Sequence, residues 1–373
     1  PKGLKLRLMW EDASKELNFV ETSRMNVYIL QVMSIIKQAY CSPKYLYYLL
    51  PGQEKRVRSD EGSLRKEILV RDTEEFKELW DKAIDSVKST IDLLRHPQEF
   101  GAVSADYLPY VSILPALSSL IIEVKKLEPE KRFNAMQKIR HWYWASVFTN
   151  RYSGSVESTS ARDYLALKNW FENDNEIPEL MDEFNDRFVS LDFHRETRRG
   201  TSTYNGVFNL IIMEGAKDWI SGKAPHFEDI DDHHIIPKDW ARENYPSNNI
   251  DTILNRTPLS AETNRKVINN RLPNKYLPEL RNEYGEETFL AILKTHLISP
   301  TAYEILLRKP FTPSDYEAFL DERQKTIKEK ISSLFSQVEL DLSPTLNKLD
   351  EEIEEIELEL RSIIENLLKD NAS

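Results

Sequence analysis

Residues 231–266, DDHHIIPKDWARENYPSNNIDTILNRTPLSAETNRK, constrain the chain more than any other stretch, because their polar residues make little sense as packing. His233 and His234 stand side by side before Ile235, Ile236 and Pro237, in a run short and apolar enough for a buried strand. Proline cannot donate to a sheet ladder, so Pro237 ends that strand. Asn255 follows in NRTPLS, and Asn264 in SAETNRKVINN, where Ser260, Thr263 and the apolar Val267 and Ile268 predict a helix N-terminus. The His, Asn and Asn are therefore expected on a strand, on a strand or loop, and on a helix. Adjacent strand residues point to opposite faces, so both histidines can serve one ligand only if the strand twists near Pro237.

That order resembles the HNH, or ββα-metal, nuclease motif, in which a histidine precedes two apolar residues and a proline. The resemblance makes His234 the motif histidine, Asn255 the central asparagine and Asn264 the third residue, on the helix. His233 stands where many relatives carry an aspartate. What the resemblance implies is hydrolysis of a phosphodiester, with His234 as the base that takes a proton from water. His233 and Asn264 would hold one divalent metal ion (Mg, Mn, Ni or Zn) that polarises the phosphate and stabilises the leaving oxygen. Asn255 is neither acid nor base, but its amide can bond backbone across the loop and hold the His234 ring in orientation. Arg265, Lys266, Arg256 and Lys238 are the expected substrate contacts. Residues 231–280 hold seven acidic and seven Lys or Arg residues, whereas the whole chain carries −12, so this stretch is a locally less acidic island that tolerates a phosphate backbone.

The acidic balance excludes a protein coated for sequence-independent DNA binding, so any nucleic-acid contact is confined to a patch or supplied by another domain. A single cysteine, Cys41, excludes an internal disulfide and a cysteine-based zinc knuckle. With no signal peptide and no apolar run long enough to span a bilayer, a cytoplasmic protein without membrane contact is expected. A start at Pro1 instead of Met is expected of a piece of something longer.

Helical periodicity dominates elsewhere. TSRMNVYILQVMSIIKQAY predicts a buried helix, KYLYYLLPG a short one, and QEKRVRSDEGSLRKE a charged, exposed connector. Asp72 with Glu75 predicts the cap of a helix ended by His96-Pro97. Residues 108–127 and 129–149 predict two more, the second carrying Trp142, Tyr143 and Trp144 at spacing that suits core packing better than base stacking. NRYSGSVES reads either as a plain interhelical turn or as a phosphate-holding helix start, with Arg151 and Tyr152 at its lip and a cap at Ser158 or Ser160. Arg195, Arg198 and Arg199 are either phosphate contacts or surface residues. RNEYGEETFLAILKTHL predicts one helix, with His296 packed or on the surface, and Ser314 with Glu317 predicts the cap of another reaching residue 338. The last helix repeats Leu346, Leu349, Ile353, Ile356, Leu360, Ile363 and Leu367 as a heptad seam, expected to fold back as an antiparallel hairpin.

NRYSGSVES, TSTYNGVFNLIIMEGAKDWISGK and HHIIPK with NRTPLSAETNRK together resemble the C-terminal half of the GmrSD-type restriction enzymes, a group that includes the phosphorothioation-sensing SspE proteins. In that group an N-terminal NTPase domain senses modified DNA and the HNH half cuts. Neither the group's Gln-Arg-rich motif nor a GxxxxGK loop occurs in this chain. The resemblance thus implies the cutting half of a restriction or phage-defence system, with DNA as its partner and an NTPase sensor domain absent from the chain. The expected fold is mainly α: a helical domain over 1–149, a nuclease domain over 150–310 with a small inserted ββα-metal core at 226–280, and C-terminal helices over 311–373 with the seam at 345–370. The rival functions are a non-catalytic DNA-binding or scaffolding module with a degenerate HNH fold, and an HNH RNase or toxin.

Overall fold

The computed structural model describes residues 5–20, 24–58, 64–245 and 249–336, with the backbone alone at Arg58, Phe227 and Val267. These residues are mainly helical, with two short two-stranded antiparallel sheets. Residues 1–330 cluster as one compact unit and 331–373 as a second, so the stretches 1–149 and 150–310 fall within the same unit. The expected heptad seam and its hairpin lie outside the described residues. No helix among the described residues is long and apolar enough to cross a membrane.

After α1 (Leu6–Ala13), α2 (Met25–Gln38) buries Ile29, Val32, Met33 and Ile35 completely, as its nearly all-round apolar sequence requires. A short α3 (Pro43–Leu46) continues as a 3-10 turn at Tyr47–Leu49. The QEKRVRSDEGSLRKE stretch is not a plain connector. It forms β1 (Glu54–Arg58) and β2 (Leu64–Ile68), paired antiparallel with Glu54 opposite Ile68. Every residue of β2 is exposed, so there was no buried face to impose the alternation that marks a strand. α4 (Thr73–Arg95) begins where the Asp72 carboxylate accepts the N–H groups of Glu74 and Glu75 at 3.0 and 2.9 Å, and ends at His96.

α5 (Leu114–Lys126) starts later than residue 108. A 3-10 turn at Val111–Ile113 precedes it, and Pro115 lies in its first turn, where a missing N–H costs nothing. α6 (Pro129–Phe148) buries Trp142, Tyr143 and Trp144 to within 1% of full coverage, so the aromatic cluster is core. α7 (Val156–Glu172) begins ahead of the expected caps, with Ser155 in the left-handed region at its N-cap. From α7 the Asp163 carboxylate accepts the Trp142 indole N–H at 2.9 Å, the Tyr152 hydroxyl at 3.0 Å and the Arg151 guanidinium at 2.7 Å. Arg151 also reaches Glu183 at 3.1 Å, and its side chain is only 11% exposed. The NRYSGSVES turn is therefore an interhelical brace, and its arginine is committed to carboxylates.

α8 (Glu179–Val189) and α9 (Ser202–Met213) follow. α9 crosses α6 closely at Gly206, where an added Cβ would lie 2.5 Å from Val147 Cγ1. Of the three loop arginines, Arg199 pairs with Asp106 at 2.9 Å and stacks over Tyr107, while Arg195 stays exposed. Next come β3 (Ile230–His234), α10 (Lys238–Asn244), β4 (Arg256–Ser260) and a one-turn α11 (Ala261–Thr263) that passes into a π-helical turn at Asn264–Ile268. The single helix expected after residue 280 is two, α12 (Pro273–Tyr284) and α13 (Glu286–Lys294), because Gly285 adopts φ +79° between them. α14 (Pro300–Leu306) and α15 (Pro313–Phe335) complete the described chain. The cap of α15 is Thr312 with Asp315, which exchange side-chain to N–H bonds at 3.3 and 2.9 Å. Glu317 instead accepts the Tyr245 hydroxyl. In the core α4 packs on α2 and α5, α7 on α5, and α9 on both α6 and β4, which ties the helices to the second sheet.

Candidate functional site

β3 and β4 pair antiparallel with His234 opposite Arg256, His233 opposite Thr257 and Asp232 opposite Pro258. Because alternate strand residues share a face, Asp232, His234 and Arg256 belong to one side of this hairpin and Asp231, His233 and Thr257 to the other. The strand ends at His234 itself. Ile235 and Ile236 are fully buried beyond it, and Pro237 is the N-cap of α10, a helix that no periodic pattern in the sequence announces.

Asn255 ends a 3-10 turn directly before β4 and is fully buried. Its amide oxygen accepts the Ile236 N–H at 2.8 Å, and its amide nitrogen donates to the carbonyls of Ile236 and Ile250, both at 3.0 Å. The Ile235 N–H adds a bond to the Asn255 carbonyl at 2.9 Å. The backbone just past His234 is thus pinned at Ile236 by the Asn255 amide, a cross-loop bond of the kind expected of this asparagine, and at Ile235 by the Asn255 carbonyl and the Tyr276 hydroxyl.

On the first face, His234 Nε2 lies 2.9 Å from Asp251 Oδ1. The same oxygen meets Lys238 Nζ at 2.9 Å and an Arg256 guanidinium nitrogen at 2.6 Å. Partial burial works to raise the Asp251 carboxyl, but the bonds from Lys238 and His234 and the charge of Arg256 outweigh it and hold it below the usual carboxylate range. Burial, followed by the Arg256 charge, pushes the His234 imidazole down to about 4, so it is neutral at physiological pH. Arg256 also donates to the Asp232 carbonyl at 3.1 Å, and Tyr204 from α9 donates to Asp232 Oδ2 at 2.5 Å.

On the second face, His233 is 5% exposed, and burial lowers its pKa. Its Nε2 is buried with no hydrogen-bond partner, and Asp231 Oδ2 lies 3.7 Å away. Beside it the Thr257 hydroxyl bonds His296 Nδ1 at 2.6 Å, while His296 Nε2 donates to the Lys217 carbonyl at 2.7 Å. That carbonyl can only accept, which fixes the His296 proton on Nε2 and makes Thr257 the donor to Nδ1. With both nitrogens engaged and no exposure, His296 is a packed histidine.

Beyond β4 the Ser260 hydroxyl accepts the Thr263 N–H at 3.2 Å, the expected cap. Asp218 reinforces it by accepting the Ser260 N–H at 3.0 Å and the Thr263 hydroxyl at 2.7 Å. Asn264 opens the π turn, half-buried, with no side-chain hydrogen bond among the described residues. Arg265 bonds the Ala261 carbonyl at 3.1 Å and Lys266 pairs with Glu262; both are exposed.

The structure gathers His234, Lys238 and Arg256 around Asp251, with Asn255 fixing the backbone beside them. His233 lies on the opposite face, and no hydrogen bond or ion pair among the described residues joins it to His234 or Asn264. Sequence reasoning missed Asp251, Asp232, Tyr204, Asp218 and Arg323. Arg323, fully buried on α15, donates to the carbonyls of Leu254 at 2.8 Å and His296 at 3.1 Å; burial lowers its pKa to about 9, which keeps it charged. The one available signal was Asp251, an acid close before Asn255, and in SNNIDTILN it reads as an ordinary turn residue.

Among the described residues no group of three or more His, Cys, Asp or Glu is placed to hold a metal. The donor pair expected here is one imidazole and one amide oxygen; the His233 Nε2 is buried without a hydrogen-bond partner, and no bond among the described residues brings Asn264 to it. No family model matches the chain. An uncharacterized protein of Methanocaldococcus jannaschii is 31% identical over 279 residues, covering 69% of this chain and 47% of the relative. The chain therefore spans about half the length of the curated relative it matches.

Proposed function

We propose that the chain is a metal-dependent DNA endonuclease, with β3, β4 and the turns after them acting as a ββα-metal insertion in a mainly helical protein. The observation that carries this reading is the Asn255 clamp on Ile236, which holds the His234 backbone beside Lys238 and Arg256. An imidazole kept neutral beside two cations is free to take a proton from water, and a phosphate that neutralises Lys238 and Arg256 would raise its basicity from the low value of the free protein. In this reading His234 is the base, Asn255 fixes its backbone, and Lys238 and Arg256 receive the phosphate in exchange for Asp251. His233 and Asn264 would hold the metal. When bound, a divalent cation supplies Lewis acidity toward the phosphate and the leaving oxygen. The restriction or phage-defence setting, and a separate NTPase domain that senses DNA modification such as phosphorothioation, rest on the GmrSD-type resemblance.

The test is plasmid nicking by the whole chain across a titration of Mg, Mn, Ni and Zn, with RNA as a parallel substrate. Metal-dependent nicking is expected. Cleavage of RNA alone would move the protein to the ribonucleases, and DNA binding without cleavage under any metal would make it a binding module.

Two outcomes test the supporting residues. His233→Ala should weaken metal binding in calorimetry, with transition ions bound more tightly than Mg before the change, because imidazole suits them better. Unchanged affinity would remove His233 from the ligand set. Replacing both Arg265 and Lys266 by Ala should weaken binding to all DNA sequences alike and flatten log K against log salt by about 0.9 for each phosphate that is no longer neutralised. A changed sequence preference at constant slope would contradict a backbone role for the pair.

A further inference from the structure

We infer that Asp251 is the positioning residue for His234: it fixes the ring's orientation and tautomer, leaving Nδ1 as the basic nitrogen. This rests on the nuclease reading of His234. The geometry is specific. His234 Nε2 is 2.9 Å from Asp251 Oδ1, and the same oxygen is shared with Lys238 and Arg256. An ionised carboxylate only accepts hydrogen bonds, so the proton between the two residues belongs to Nε2, and the lone pair of the neutral ring is on Nδ1. Asp251 sits in the stretch leading to the clamp, since the Asn255 amide also holds the carbonyl of Ile250 at 3.0 Å. One asparagine therefore ties down both the backbone after His234 and the backbone before Asp251. His234 and Asp251 come from segments seventeen residues apart and would otherwise drift independently.

The same carboxylate has a second effect. In the free protein it neutralises Lys238 and Arg256, the two cations best placed to receive a phosphate, so it opposes substrate binding while it supports the chemical step. Removing it should lower kcat without raising KM.

The experiment compares wild type, Asp251→Ala and Asp251→Asn as whole chains. Two readouts are taken: nitrogen-detected NMR of the His234 ring without substrate, and DNA cleavage resolved into kcat and KM. In wild type the ring should be held as the Nε2–H tautomer. In Asp251→Ala it should become a mixture, with kcat lower by about 10- to 100-fold, as for other partners that orient a functional histidine. KM should be unchanged or lower. Asp251→Asn retains the shape and one acceptor oxygen, and should fall between the two. Asp251 is 40% exposed, and the asparagine variant tests the same point should alanine unfold the chain. An unchanged ring tautomer, or unchanged kcat with raised KM, would overturn the positioning role, the second result assigning Asp251 to the organisation of the cations instead. Because the ring signature needs no substrate, a wild type that holds the tautomer yet cleaves nothing would sink the nuclease reading while leaving the Asp251–His234 lock in place.

Discussion

His234→Ala is expected to lower metal-dependent cleavage by about 10²–10⁴-fold, the range over which a positioned general base contributes. DNA binding and thermal stability should stay close to wild type. The His234 side chain is 17% exposed and makes one side-chain bond, to Asp251, so its truncation opens a small space at the edge of the hairpin and removes no part of the core. The strand around it is held by other groups. Ile235 and Ile236 stay buried, the Asn255 amide bonds remain, and Tyr276 still donates to the Ile235 carbonyl at 3.0 Å. Loss of rate with retained binding separates a missing base from a lost docking surface. Turnover near wild type in this variant would remove His234 from the chemistry.

The largest effect on stability is expected at Asp163, far from the hairpin in sequence. Asp163→Ala leaves the Arg151 guanidinium buried without its main counter-charge and takes the acceptor from the Trp142 indole and the Tyr152 hydroxyl. Both partners of the ion pair are nearly enclosed, at 11% and 3% exposed, so solvent cannot replace the carboxylate. Breaking a buried pair by deleting one member costs about 3–5 kcal/mol. The melting temperature should drop by many degrees and denaturant unfolding should shift accordingly. A loss below about 1 kcal/mol, typical of a surface pair, would mean that water reaches Arg151.

Legibility in the sequence followed the burial of the elements. α4 was readable from end to end because its cap, its apolar spacing and its terminating His96-Pro97 agree with one another. The exposed hairpin β1–β2 had no buried face and was missed, and Gly285 split a pattern that otherwise continued across it. In the candidate site, the cross-loop bonding of Asn255 and the Ser260 cap were legible because they are local. Asp251 was hidden, because an aspartate in an Asn- and Ser-rich loop shows nothing of the imidazole it meets. Tyr204, Asp218 and Arg323 act across 28, 42 and 69 residues, and no periodicity reports such distances.

Arg323 has a practical consequence for anyone wishing to transplant the hairpin. It reaches from α15 to the Leu254 carbonyl, one residue before the Asn255 clamp, and to the carbonyl of His296, whose ring steadies Thr257 on β4. An excised cassette of residues 226–280 would leave behind Arg323 and His296 on one side and Tyr204 and Asp218 on the other. It would carry His234 and Asn255 without the scaffold that orders them. The smallest portable unit therefore runs from α9 through α15, a little over a third of the chain for a hairpin of two five-residue strands.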